Sequence, residues 1–269
     1  LAGEALALRK PRNPRWTKPK KAPAARKGGP AAQPAAPVIP EILAAGRWKP
    51  EVKRALENFL RDKGKESPGY NVQQPPAAVF VWDDAVIVND LAETIFARLI
   101  ERVDFKFEDK FWLLVPRPYL RGGLRVDYEQ FLDEPQSVWS QQASYQQYRK
   151  KFFKAYQDLC QRHGLKECRS WMVRLLWGFR VDELRTYAQE AVKDELARPL
   201  TTEVIREHAG DAAPVEVRRG VRMIAEMADL IVHLKKFGFD VWVVGDDGQE
   251  FIEAMAGHYG IEPSRTLGI

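Results

Sequence analysis

The stretch Ala77-Ala78-Val79-Phe80-Val81-Trp82-Asp83-Asp84-Ala85-Val86-Ile87-Val88-Asn89-Asp90 decides the fold. It begins as an unbroken run of apolar, strand-forming residues and meets two adjacent carboxylates at Asp83-Asp84. From Asn89-Asp90 the apolar period becomes helical, with Leu91, Ile95, Leu99 and Val103 on one stripe. Pro75-Pro76 deliver the chain to this strand in an extended conformation. A strand that ends at acids and passes into a helix is the arrangement in which open α/β sheets gather their ligands.

A second unit of the same kind lies near the other end of the sequence. Val221, Ile224, Met227, Ala228, Ile231 and Leu234 form one helical face, and Phe237-Gly238 stops it with a glycine placed for a left-handed cap. Phe239 to Val244 then reads as a buried strand, Gly245-Asp246-Asp247-Gly248 as a turn, and Phe251, Ile252, Met255 and Tyr259 as the next helix. Two strand–helix units of this kind predict parallel strands at 77–82 and 240–244, side by side.

Between them, residues 104–219 are rich in aromatics at helical spacing, and no second buried strand stands out. Tyr145, Tyr148, Phe152, Tyr156, Leu159 and His163 share a face that reads as helix core, and another helix runs from Asp182 to Pro199. Upstream, Pro50 to Arg61 predicts a helix with Val52, Leu56, Phe59 and Leu60 on one face. The expected division is a basic Pro/Ala-rich tail at 1–46, extended in solvent, the first part of an α/β core at 47–103, a helical cap insertion at 104–219, and the second part of the core at 220–269.

The overall charge of +5 conceals an asymmetry. Arg9, Lys10, Arg12, Arg15, Lys18, Lys20, Lys21, Arg26 and Lys27 face Glu4 alone, so residues 1–27 carry +8 and the remainder −3. Electrostatics therefore offers a polyanion the tail and not the globular part; the other reading of the tail is a solubilising linker, since Trp16 is its one stacking ring. No run approaches the ~18 apolar residues of a membrane span. Ala5-Leu6-Ala7 has the small-x-small form of a signal-peptidase site, a hint of export that leaves the compartment unassigned. Cys160 and Cys168 have no companions at zinc spacing and read as two separate thiols, a bridge across one short loop being the alternative in an oxidising compartment. His163, His208, His233 and His258 are scattered, so no metal is expected from them.

The order and spelling of Gly220-Val221, Met227, Leu230-Ile231, Leu234-Lys235, Gly238-Phe239, Val241-Trp242-Val243-Val244 and Gly260-Ile261, followed by Leu267-Gly268, add to the strand at 77–82. Together they resemble the haloacid-dehalogenase-like (HAD) superfamily in its phosphoserine-phosphatase and phosphorylcholine-phosphatase-like branch, over roughly residues 47–269. The resemblance implies an α/β fold with a HAD-like Rossmannoid parallel sheet, here partial, and an inserted helical cap. It also implies a set of site positions: a nucleophilic, Mg²⁺-ligating Asp where this chain has Val81, a proton-donating Asp at Asp83, a Thr where it has Ala85, and a phosphate-holding Ser where it has Gly245. Only Asp83 keeps the family's chemistry.

The expectation is a catalytically degenerate HAD-like protein that serves as a binding or structural component of an assembly, with the basic tail as a docking arm and no cofactor. The alternative is an active Mg²⁺-dependent phosphomonoester hydrolase whose remaining motifs lie outside these residues. The family's further strands have no counterpart after Ile269, which leaves the first strand with an open edge and calls for a protein partner or a further chain segment to cover it. Asp83, Asp84, Asp246 and Asp247 are the candidate pocket residues. The acid pairs read as solvated turn residues, with a cation site as the alternative; without a metal they repel a phosphate dianion.

Overall fold

Why the two apolar runs pair is visible in their register. In the computed structural model, which describes residues 41–106 and 108–268, β1 (Ala77–Val81) lies parallel to β6 (Asp240–Val244), with Ala77 opposite Asp240 and Val81 opposite Val244. A short β7 (Thr266–Leu267) adds to the other side of β6, giving the order β1-β6-β7. The elements between them are α1 (Pro50–Lys63), which precedes β1, then β2 (Ile87–Val88), α2 (Leu91–Arg102), α3 (Arg117–Arg121), α4 (Leu124–Leu132), α5 (Ala143–His163), α6 (Leu165–Arg174), α7 (Val181–Ala197), β3 (Thr201–Ile205), β4 (Val215–Arg219), β5 (Arg222–Met223) and α8 (Ala225–Lys236); α9 (Gln249–Ala256) follows β6.

The strands at 77–81 and 240–244 are therefore adjacent and parallel, as their sequence predicts. β1 is not buried on both faces. Val79 and Val81 are 59% and 63% exposed, whereas Val241 and Val243 of β6 are buried. Among the described residues β1 pairs on one side only, with β6.

α2 forms where Asp90 accepts a hydrogen bond from the Glu93 amide (2.9 Å), the N-cap that a helix start requires. Its stripe of Leu91, Ile95 and Leu99 is fully buried. The chain returns from the insertion through Gly220, whose φ of +76° and close backbone neighbours, with a Cβ falling 2.6 Å from the Pro199 carbonyl oxygen, leave room for glycine alone. Past Gly220 the expected helix begins later than its apolar pattern, because Arg222–Met223 first pair with Ile87–Val88 in an antiparallel ladder.

The insertion is built on aromatic packing. Phe96 of α2 meets Phe153, Tyr156 and Trp171, with ring centroids 5.2 to 5.8 Å apart, so the insert and the strand-bearing core share one apolar interior. It is not wholly helical: β3 and β4 pair as an antiparallel hairpin. In β4 the alternation of Val215 and Val217 with Glu216 and Arg218 is a half-buried strand pattern, too short and too charged to register as a buried run. Cys160 and Cys168 form a disulfide that joins α5 to α6, which corrects the reading of two separate thiols; the turn at Gly164 reverses the chain and brings them together.

The compact unit begins at Glu41, ahead of the expected Arg47. The carboxylate of Glu57 accepts the amides of Ile42 (2.8 Å) and Leu43 (3.1 Å), and Leu43 is fully buried. The basic residues Arg9 to Lys27 lie outside the described residues. Among the described residues no helix is long and apolar enough to cross a membrane.

Candidate functional site

Two acidic loops meet at the carboxyl ends of β1 and β6. The first follows Trp82, whose carbonyl accepts the amides of Ala85, Val86 and Ile87 and so winds the chain into a tight turn. That turn directs Asp83 to the start of α2, where its Oδ1 accepts the Leu91 amide (3.0 Å) beside the N-cap Asp90. The second loop is Gly245–Gly248, which carries Asp247 into the interior: its side chain has no exposed surface.

Arg169 of α6 fills the space between the loops. Its Nη1 donates to Asp246 Oδ1 (2.5 Å), Asp247 Oδ1 (2.6 Å) and Asp83 Oδ2 (3.3 Å), and its Nη2 donates to Asp90 Oδ2. One guanidinium, itself 7% exposed at the side chain, thus stands against four carboxylates. Burial first, and then the charges of Asp83 and Asp90, push the Asp247 carboxyl up to about 9, against the pull of Arg169. Burial and the Asp83 charge raise Asp90 to about 7, again with Arg169 opposing. For Arg169, burial alone would lower the value, but the carboxylates, Asp90 foremost, hold it above the ordinary arginine range. Burial also raises the Tyr156 phenol, with the Glu93 and Asp90 charges adding to it.

The structure therefore brings together three of the four candidate pocket residues, Asp83, Asp246 and Asp247. Asp84 turns away with a φ of +50° and pairs in solvent with Arg218 of β4 (2.9 Å). Solvated turn residues describe Asp84 and Asp246, whose side chains are more than half exposed, and do not describe Asp247. Sequence reasoning missed the centre of the site. Asp90 reads only as a helix start, and Arg169 has no periodic or motif signal; its one local mark is that it follows Cys168, whose bridge to α5 fixes the start of α6.

The other positions that the resemblance singles out are Val81, Ala85 and Gly245. Val81 and Ala85 both present hydrocarbon to solvent. A Cβ at Gly245 would stand 2.9 Å from Ile252 Cδ1, so a serine there would require that side chain to shift. Beside the site, Glu93, Phe96, Phe153, Tyr156 and Val217 help line a cavity of about 130 Å³ between α2, α5 and β4.

No protein-family model matches the chain, and no curated protein matches it. Among solved structures, a conserved, functionally unknown protein from Anaerococcus prevotii is similar in fold, with a TM-score of 0.72 and 19% identity, over 86% of this chain and 70% of that one. At that identity the likeness concerns the fold alone: a mixed α/β domain with a parallel three-stranded sheet.

Proposed function

We propose that this chain is a HAD-like protein without phosphatase chemistry, acting as a binding or structural component of an assembly. The observation that carries the reading is what stands at the strand ends: hydrocarbon at Val81 where a nucleophile would be needed, with the guanidinium of Arg169, from α6, filling the space between the two acidic loops. Phosphoryl transfer by this architecture needs an attacking carboxylate before positioning or a metal can help, and an isopropyl group neither attacks phosphorus nor ligates a cation. The magnesium ion that the resemblance implies would sit on that same carboxylate. Val81 does not fit it, and no step is derived through it.

Binding is supported by the geometry of β1. Among the described residues the outer edge of β1 carries unpaired backbone donors and acceptors, so a polypeptide strand laid there would extend the ladder, and Val79 and Val81, on one face of the same strand, are exposed beside it. Sedimentation of the pure chain tests this part; a monomer that shows no strand-mediated association with any assembly component would end it. The basic segment Arg9 to Lys27 is the docking arm of the proposal. Deleting residues 1–40, which spares the Glu57-anchored turn, should abolish salt-sensitive binding to a polyanion such as heparin; unchanged affinity would remove the arm.

The deciding experiment on chemistry is a Mg²⁺-dependent assay with a generic aryl phosphate, on the natural chain and on Val81→Asp. No turnover is expected from either, because Ala85 and Gly245 still lack the groups that hold a phosphoryl oxygen. Turnover by the natural chain would overturn the reading.

A further inference from the structure

Residues 28–269 carry −3 in sum, but that charge is unevenly placed. Residues 106–121 hold Lys106, Lys110, Arg117 and Arg121 against Glu108 and Asp109, a surplus of +2. Residues 162–185 set six lysines and arginines against Glu167, Asp182 and Glu183, a surplus of +3, or +2 without the internal Arg169. The rest of 28–269 is left with −8. Arginines elsewhere are committed to carboxylates: Arg98 to Glu190 and Asp194, Arg149 and Arg219 to Glu101 and Glu203. Lys110, Lys166 and Arg174 are exposed and have no carboxylate partner among the described residues.

The same two segments carry apolar side chains into solvent. Glu108–Leu113 is a 3₁₀ helix, in which residues three apart eclipse, so Lys110 and Leu113 stand on one side of it, and Leu113 is 83% exposed. In α6 and the turn after it, Cys168, Met172, Leu175 and Leu176 are buried, while Lys166, Val173, Arg174 and Trp177 face outward at helical spacing, Trp177 being 68% exposed. The two pieces lie side by side. Trp171 Nε1 donates to the Leu114 carbonyl oxygen (2.7 Å), and a Cβ at Gly178 would stand 2.9 Å from Lys106 Cβ. Exposed leucine, valine and tryptophan are thus interleaved with cations that nothing on the chain neutralises.

We propose that this face of the insertion is a peripheral docking surface for an anionic lipid bilayer. At the boundary of such a bilayer, Leu113, Val173 and Trp177 would enter the margin of the hydrocarbon while Lys110, Lys166 and Arg174 meet the phosphate headgroups. A nucleic acid satisfies the cations only: it leaves Leu113 wet and finds one exposed ring, Trp177, to stack on. An acidic protein needs a shape fitted to the outside of a helix; a lipid surface deforms to it. Among the described residues no helix is long and apolar enough to cross a membrane, so the contact is with the surface. The inference is independent of the phosphatase question and of the β1 edge, and the charge it uses is separate from that of Arg9 to Lys27.

The test is co-sedimentation of the full chain with vesicles of phosphatidylcholine, alone or mixed with phosphatidylglycerol, beside heparin affinity as the measure of charge without hydrocarbon. Binding to the mixed vesicles and none to phosphatidylcholine alone is expected. Leu113→Ser together with Trp177→Ser should weaken vesicle binding by about tenfold or more and leave heparin affinity unchanged. Lys110→Gln together with Arg174→Gln should weaken vesicle binding by about tenfold or more at low salt. Val232→Ser, at an exposed valine of α8 in the core, should bind as the natural chain does. If the Leu113 and Trp177 double variant fails to fold, Leu113→Ser alone takes its place, with a loss in the same direction. The proposal is overturned if the mixed vesicles do not bind the full chain, whether or not RNA or an acidic polypeptide does. Unchanged vesicle binding in the Leu113 variants, or an equal loss in Val232→Ser, would overturn it as well.

Discussion

Arg169→Met keeps an unbranched side chain of comparable reach and removes only the charge and its donors. In the natural chain that guanidinium is 7% exposed at the side chain and bonds four carboxylates, of which Asp90 and Asp247 are buried. Removing one partner of a buried ion pair costs about 3–5 kcal/mol, because the other charge stays behind uncompensated. For a domain of this size that corresponds to a fall of roughly 6–20 °C in unfolding temperature. The loss depends on pH, and its sign follows from the carboxyls. Without Arg169 they shift upward still further, so acid neutralises what the arginine no longer does, and the deficit is larger near pH ~8 than near pH ~5. Urea titration followed by tryptophan fluorescence, in the presence of a chelator, measures both quantities. Arg218→Met is the contrast: its pairs with Asp84 and Glu93 are solvent-exposed, so it should cost no more than about 1 kcal/mol. If Arg169→Met unfolds within ~0.5 kcal/mol of the natural chain at both pH values, the cluster contributes nothing and the electrostatic account of the site is wrong.

The natural chain should itself lose stability as pH rises. Asp90, at about 7, and Asp247, at about 9, hold protons that the unfolded chain has already released, so their contribution is complete below the ordinary carboxylate value and is lost as pH climbs through those two. Each proton so held gives a slope of about −1.4 kcal/mol per pH unit, and Asp247→Asn should flatten the profile; parallel profiles would refute the assignment. Converting Cys160 and Cys168 together to serine opens a loop with a sequence separation of 8 and should cost about 2–3 kcal/mol, read from the same urea titration. A reducing agent should give the same loss in the natural chain and none in the variant.

The stretch at 77–90 and the segment from 220 onward contain the core arrangement in readable form, because a short unbroken apolar run bounded by an apolar period near 3.6 is a local property of the chain. Asp240 to Val244 is a strand with the predicted neighbour, and the aromatic stripe from Tyr145 to Tyr156 is helix core. Exposure at Val79 and Val81 was not legible, since an apolar strand looks the same in sequence whether or not something lies beside it. The hairpin of β3 and β4 was hidden for the opposite reason: each strand is five residues long, β4 alternates its valines with the exposed Glu216 and Arg218, and β3 has Glu203 at its centre. At the site, the acids could be found from their position at strand ends. Arg169 could not, because its role is defined by partners 77 to 86 residues away.

Those separations also bear on modularity. Arg169 stands almost midway in sequence between Asp83 and Asp247, and it arrives from the helical insertion while the acids belong to the two halves of the core. The insertion therefore carries the counter-charge of the sheet it interrupts. A minimal version of the protein made by joining residue 103 to residue 220 would keep both strands and their register. It would also bring Asp83, Asp90, Asp246 and Asp247 together with no cation among them, so the core cannot be excised as an independent unit without redesigning those four positions.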